Sequence, residues 1–254
     1  FMKKIGFFDS GLGGISVLRE AVKEMPEESY IYYGDSANAP YGSRSHDEIY
    51  ALTMQGIRYL LSQDIKALVI ACNTATSVAV EQLRCDLKIP VISMEPAVKP
   101  ALENTNGKVL VLATPATLEQ ERYKRLVEGL CGSERVINCP CDRLAGLIEK
   151  HIYDDKEEID TYLDRLLAPY AGRVDAAVLG CTHYVFIKDG IARRLPGARL
   201  FDGNHGTVMH LRSVLTENGC KEPAGGRGCV VLNSSSDDQY TLKCYSALLN
   251  YRDI

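Results

Sequence analysis

Nine short apolar runs, rich in β-branched and aromatic residues and lacking strict alternation, punctuate the chain: Ile5–Phe8, Tyr30–Tyr33, Ala67–Ala71, Val91–Met94, Val109–Ala113, Val136–Asn138, Ala176–Leu179, Ala198–Phe201 and Cys229–Leu232. Runs of this length without a period of two suit strands buried on both faces, as in parallel sheets. Between them the apolar period is helical. Ile15, Leu18, Val22 and Met25 share one face, as do Ile49, Leu52, Ile57 and Leu60–Leu61, and again Ile159, Tyr162, Leu163, Leu166, Leu167 and Tyr170. Strand alternating with helix predicts an α/β fold with largely parallel sheets.

The order of elements repeats. The strand Ile5–Phe8 with Asp9-Ser10 and a following helix is echoed by Val109–Ala113 with Thr114-Pro115, 105 residues on when Asp9 is matched to Thr114. Leu68–Thr74, centred on Cys72, is echoed by Ala177–His183, centred on Cys181, 109 residues on. The reading is two similar lobes, each a mostly parallel sheet flanked by helices, with the active site in the cleft between them. Residues 1–96 with 208–254 form the first lobe and 97–207 the second. Prolines 90, 96 and 100 bracket the passage between lobes. The last strand and the helical Tyr240–Tyr251 return to the first lobe, and Pro223–Gly228 is a surface loop.

Composition excludes several classes. With 254 residues, 46% hydrophobic, the chain can bury a core without disulfide or metal staples. A net charge of −4 and no long basic block exclude a binder of the nucleic-acid backbone. No apolar run reaches the length of a membrane span. Phe1-Met2-Lys3-Lys4 runs directly into a strand, without the apolar core of a secretory signal, and Phe1 reads as a cloning remnant. Nine cysteines, an odd number at irregular spacing, read as reduced thiols in the cytoplasm.

Ligands of open α/β sheets bind at the carboxyl ends of strands. Standing there are Asp9-Ser10, Asp35, Cys72-Asn73-Thr74, Glu95, Thr114, Cys139 and Cys181-Thr182-His183. The loop Gly11–Gly14 lacks the third glycine of the dinucleotide fingerprint and the lysine of a P-loop. It is better read as backbone N–H groups offered to a small anion. Cys72 and Cys181 each end a buried strand and open a helix, a setting that favours the thiolate. Asp9 and His183 are the titratable neighbours. Cys85, Cys131, Cys220, Cys229 and Cys244 lack such contexts and read as structural, and Cys139-Pro140-Cys141 is poorly spaced for metal or redox work. His151, His205 and His210 lack compact ligand spacing, so no metal site is expected. His46 belongs to a helix N-terminus, Tyr30, Tyr32 and Tyr33 to a strand, and the acidic Tyr153–Asp160 to a solvated helix start.

Two thiols flanking one carbon permit inversion without an electron-sink cofactor. One removes a proton from one face and the other delivers a proton to the opposite face. The donors Ser10, Asn73, Thr74 and Thr182 are available to stabilise the carbanion. A single-thiol decarboxylase, an aspartate racemase and a non-catalytic two-lobed binding protein remain alternatives at this point.

The string Asp9–Gly14, Tyr33-Gly34-Asp35, Pro40-Tyr41-Gly42, Ala71–Ala75, Glu95-Pro96, Ala113–Thr117 and Leu179–Tyr184 resembles the glutamate racemases, of the aspartate/glutamate racemase family. The resemblance runs from about residue 4 to 202, with a weaker tail over 229–251. It implies a cofactor-independent, two-base isomerase of two α/β lobes that supplies D-glutamate for peptidoglycan. Cys72 and Cys181 would be the acid/base thiols, assisted by Asp9 and His183. Asp9, Ser10, Tyr41, Gly42, Asn73, Thr74, Thr182 and His183 would hold the substrate. It favours a cytoplasmic homodimer with a small-molecule substrate and no metal, nucleic acid or membrane partner. Two features depart from the family pattern. The spacing within Cys139–Glu149 is not the family's usual one and leaves open whether Glu149 reaches the site, and Gly203-Asn204 follows Asp202 where the family usually has Ser or Pro. The N-terminal extension of members activated by a cell-wall nucleotide precursor is missing, so no such activation is expected.

Overall fold

The structure, a computed structural model, describes residues 3–151, 156–236 and 238–250. Phe1 and Met2, the front of the acidic run (153–155) and Tyr251 lie outside the described residues. The strands are β1 (Lys4–Asp9), β2 (Tyr30–Gly34), β3 (Ile65–Ile70), β4 (Val91–Ser93), β5 (Val109–Ala113), β6 (Val136–Pro140), β7 (Ala176–Leu179), β8 (Arg199–Asp202) and β9 (Val230–Ser234). The helices are α1 (Ile15–Glu24), α2 (His46–Leu61), α3 (Asn73–Asp86), α4 (Val98–Asn104), α5 (Pro115–Glu119), α6 (Glu121–Glu128), α7 (Leu144–His151), α8 (Glu157–Leu167), α9 (Lys188–Arg194), α10 (Asn204–Glu217) and α11 (Gln239–Leu249). Every apolar run read from the sequence is a strand to within two residues.

The chain divides into two compact units, Phe1–Met94 with Asn204–Ile254, and Glu95–Gly203. The first unit carries a parallel sheet in the order β4-β3-β1-β2-β9, the second a parallel sheet in the order β6-β5-β7-β8. Central strands are the most apolar: β3, β5 and β7 are buried throughout, whereas the edge strands β8 and β9 are partly exposed. That is the expected consequence of covering both faces of a parallel sheet with helices. Helix α2 starts on a capping box: Ser45 Oγ accepts the Glu48 N–H, and Glu48 Oε2 accepts the Ser45 N–H at 3.0 Å. His46 is the first residue of this helix, as its sequence context predicts.

Both sheets share one winding. In the first, β2 lies on one side of β1 and β3 on the other; in the second, β6 and β7 flank β5 in the same way. The chain therefore reverses direction at β1/β3 and at β5/β7, the switch points where parallel sheets open a crevice at their carboxyl ends. The echo seen in the sequence is thus a repeated topology, but its register needs a one-residue correction. The Ala71 N–H donates to Phe8 O, and the Gly180 N–H donates to Leu112 O. Phe8 is therefore equivalent to Leu112, Asp9 to Ala113, and Ser10 to Thr114. Cys72 and Cys181 remain equivalent. A one-residue shift along a strand moves a side chain to the other face. Asp9, matched to Thr114 in the sequence, has no acidic counterpart in the second unit.

The carboxyl-terminal segment is fastened to the first unit by a buried ion cluster. Lys66 Nζ lies 2.7 Å from Glu28 Oε2 and 3.0 Å from Glu222 Oε1, and donates to Cys220 O at 2.7 Å. The Glu222 N–H donates to Glu28 Oε1 at 2.8 Å. These bonds hold the segment between α10 and β9 against the amino-terminal end of β3. Burial opposes the Lys66 charge, but Glu28 and Glu222 outweigh it and raise its pKa. Lys66→Met should lower unfolding stability by about 3–5 kcal/mol, because it leaves the buried Glu28 carboxylate without its cation. Urea denaturation measures this, and a loss below about 1 kcal/mol would show that the cluster is not a fastening.

Candidate active site

In the first unit the carboxyl ends of β1, β2 and β3 gather most of the expected site residues. Asp9 is fully buried at the end of β1 and accepts the Gly11 N–H at 3.0 Å. Ser10, the next residue, places its Oγ 3.4 Å from Cys72 Sγ. Cys72 caps α3, its sulfur accepting the Ala75 N–H at 3.4 Å. An N–H at the start of a fourteen-residue helix favours negative charge on that sulfur. Tyr41 is buried in the short turn Tyr41–Ser43, with Gly42 beside it, and donates its phenol to Asp35 Oδ2 at 2.6 Å. Burial first, then Asp35, with smaller contributions from Cys72 and Asp9, pushes the Tyr41 phenol far above its ordinary value. Tyr41 is therefore a neutral donor at any physiological pH.

Asn73 and Thr74 open α3, both buried. Neither Nδ2 nor Oδ1 of Asn73 has a hydrogen-bond partner among the described residues. A buried amide with both ends unsatisfied costs free energy, and such a pair of groups is suited to receive a polar ligand.

In the second unit Cys181 ends β7 and caps a short 3-10 turn, Thr182–Ile187. Sequence reasoning gave both cysteines a helix N-terminus; here the turn has six residues, and no backbone N–H is bonded to the sulfur as a cap. A side-chain relay stands in its place. Cys181 Sγ is 3.5 Å from His183 Nδ1, and His183 Nε2 is 2.6 Å from Glu149 Oε1. His183 is buried, and Thr182 Oγ1 also lies 3.5 Å from its Nδ1. Burial disfavours the imidazolium, but Cys181 and Glu149 outweigh burial and hold the His183 pKa well above its ordinary value.

Glu149, left open by the sequence, lies against His183. Residues 142–143 turn before α7 begins at Leu144. Leu144, Leu147 and Ile148 bury one face of α7, and Glu149 reaches the histidine. The helical placement of a lone carboxylate near a cysteine and a histidine was the available signal. Asp35, noted only as a strand-end acid, proves to be the group that holds Tyr41.

Other candidates have partners of their own. Thr114 caps α5 by accepting the Thr117 N–H at 3.2 Å, and Glu95 pairs with Arg122. Cys139 and Cys141 are buried, with Cys141 Sγ bonded to Cys139 O. Cys85, Cys131 and Cys229, read as structural thiols, are exposed. His205, read as lacking ligand spacing, lies beside Glu20 and Glu24, with the ligand atoms of all three within 4.8 Å of one another on the surface. These side chains are brought together by α1 and α10, elements distant in sequence. Among the described residues, no helix is long and apolar enough to cross a membrane.

The family description Asp/Glu/Hydantoin racemase matches residues 10–211. A glutamate racemase of Clostridium novyi (strain NT) is 42% identical over 250 residues, covering 96% of this chain and 96% of that protein. Among solved structures, a glutamate racemase isoform of Bacillus anthracis superposes with a TM-score of 0.87 at 28% identity, covering 98% of this chain and 95% of the other. The glutamate racemase of Francisella tularensis, solved in complex with D-glutamate, superposes with a TM-score of 0.83 at 28% identity, covering 99% and 95%.

Proposed function

Because this chain belongs to the Asp/Glu/hydantoin racemase family, we propose that it interconverts L- and D-glutamate without a cofactor, using Cys72 and Cys181 as its two acid/base groups. One thiolate takes the α-proton, the electron pair passes into the substrate carboxylate, and the other thiol returns a proton to the opposite face. The thiol and thiolate exchange roles with each turnover. Ser10, Asn73, Thr74 and Thr182 supply hydrogen bonds where negative charge develops, which is where preorganised donors lower a barrier most. Asp9 assists at Cys72 and His183 at Cys181. The observation that carries this reading is the equivalence of the two cysteines at the switch points of two sheets of one topology. The same reading makes the protein a cytoplasmic homodimer that supplies D-glutamate for peptidoglycan.

Incubation of the purified protein with D-glutamate in D2O, without added cofactor, tests it. Circular dichroism should follow inversion while proton NMR follows loss of the α-proton, and D-aspartate should do neither. Inversion of D-aspartate at a comparable rate would move the substrate assignment, and exchange of neither amino acid would remove the proposed chemistry.

A further inference from the structure

The loop that carries Asp9 and Ser10 is held from behind by an aromatic chain that the proposed reaction does not itself use. Tyr32 of β2 is fully buried and donates its hydroxyl to Gly11 O at 2.6 Å. The N–H of the same residue, Gly11, is the group bound to Asp9 Oδ1. Gly11 is thus held on both sides, by Tyr32 on its carbonyl and by the Asp9 carboxylate on its N–H. Ser10, whose Oγ meets Cys72 Sγ, is the residue spanned by the bond from Gly11 N–H to the Asp9 carboxylate.

Space around the loop is as restricted as its hydrogen bonding. A Cβ at Gly14 would stand 2.5 Å from Asp9 Cβ and 3.0 Å from Tyr32 Oη. One at Gly34 would stand 2.5 Å from Gly11 O and collide with the Tyr245 hydroxyl. Tyr245 of α11 is itself fully buried, packs edge-on to the Tyr32 ring with centroids 5.3 Å apart, and lies 2.6 Å from Ser36 Oγ. The Tyr32 ring is therefore locked in place by the carboxyl-terminal helix, and its hydroxyl can reach only a narrow range of positions.

We propose that Tyr32 is a positioning residue for proton transfer at Cys72, acting through the Gly11 peptide on Asp9 and Ser10, with Tyr245 fixing its ring. The inference rests on the two-thiol reading of the site. Tyr32→Phe keeps the ring and its packing and removes only the hydroxyl, so the Gly11 carbonyl loses its partner and the loop loses one anchor. A lost hydrogen bond of this kind is worth roughly tenfold in rate. The expected result is a kcat about tenfold lower, with the primary isotope effect for α-deuterated glutamate rising for the enantiomer deprotonated at Cys72 and not for its mirror image. A merely structural role would lower kcat alike in both directions and leave both isotope effects unchanged.

Alkylation by iodoacetamide, followed residue by residue by mass spectrometry across pH, reads the same chain without turnover. In Tyr32→Phe the midpoint for Cys72 should move to higher pH, while that for Cys181, in the other unit, stays where it is. Unmoved isotope effects together with an unmoved Cys72 midpoint would overturn the proposal even if the wild type racemises glutamate. A wild type that does not racemise overturns the reading of function, and the Cys72 midpoint then decides the positioning role alone.

Discussion

Cys72→Ala and Cys181→Ala should each lower glutamate racemisation by about a thousandfold or more, within the range that a positioned acid or base contributes. Neither change should unfold the protein. Each removes a single sulfur from a strand end, and cysteine is small among buried residues, so the cavity left costs on the order of 1 kcal/mol. What remains is as informative as what is lost. A variant with one thiol can still remove and return a proton on its own face of the α-carbon. Each should therefore exchange the α-proton of one enantiomer with D2O, slowly and without inverting it. The two variants should choose opposite enantiomers. Inversion within a few-fold of wild type in either variant would contradict the two-base assignment. Exchange of both enantiomers by one variant would mean that a single residue reaches both faces of the carbon.

The strands were legible because their burial leaves little choice of residue. Val109–Ala113 is buried and apolar throughout, as a strand covered on both faces tends to be, and Ile65–Ile70 departs from this only at Lys66, whose charge is met by Glu28 and Glu222. The end of a strand is less legible. Asp9 and Ser10 are both polar and both follow an apolar run, so either can be matched to Thr114 by pattern. Only the bonds from Ala71 to Phe8 and from Gly180 to Leu112 settle that Ser10 is the equivalent. The consequence is chemical: the second unit has Ala113 where the first has Asp9, so the His183–Glu149 pair beside Cys181 is not a copy of a device in the first unit. Glu149 stayed open for a related reason. Spacing along the chain does not report how many residues a turn consumes before a helix begins, and it is the fold that brings Glu149 on α7 to His183. His205 beside Glu20 was out of reach altogether, since 185 residues separate two side chains that only helix packing brings together.

The Cys181 relay yields the second large effect. Glu149→Gln keeps the size of the side chain and a hydrogen-bonding group at His183 Nε2 but removes the charge that, with Cys181, holds the ring protonated against its burial. The His183 pKa should then fall from its raised position, so the alkaline limb of the pH profile moves to lower pH. A charge-assisted bond of this kind contributes about 1.5–3 kcal/mol, which corresponds to a fall of roughly 10- to 100-fold in kcat/KM. Stability follows the same sign. A histidine whose folded pKa is raised contributes stability that is complete below its unfolded value of about 6.5 and is lost as pH rises through the folded value. The stability difference between wild type and Glu149→Gln should therefore be wide near the unfolded histidine value of about 6.5 and close on the alkaline side. The two enantiomers have equal free energy, so kcat/KM must fall equally in both directions and any asymmetry has to be sought in isotope effects. The effect for the enantiomer deprotonated at Cys181 should rise. If Glu149 acts only through His183, Glu149→Gln should add little to the loss already produced by His183→Asn, because groups that act as a unit are not additive. Full additivity of the two losses, or an alkaline limb that does not move, would mean that the carboxylate acts elsewhere and that the 2.6 Å contact is a packing bond rather than part of the proton path.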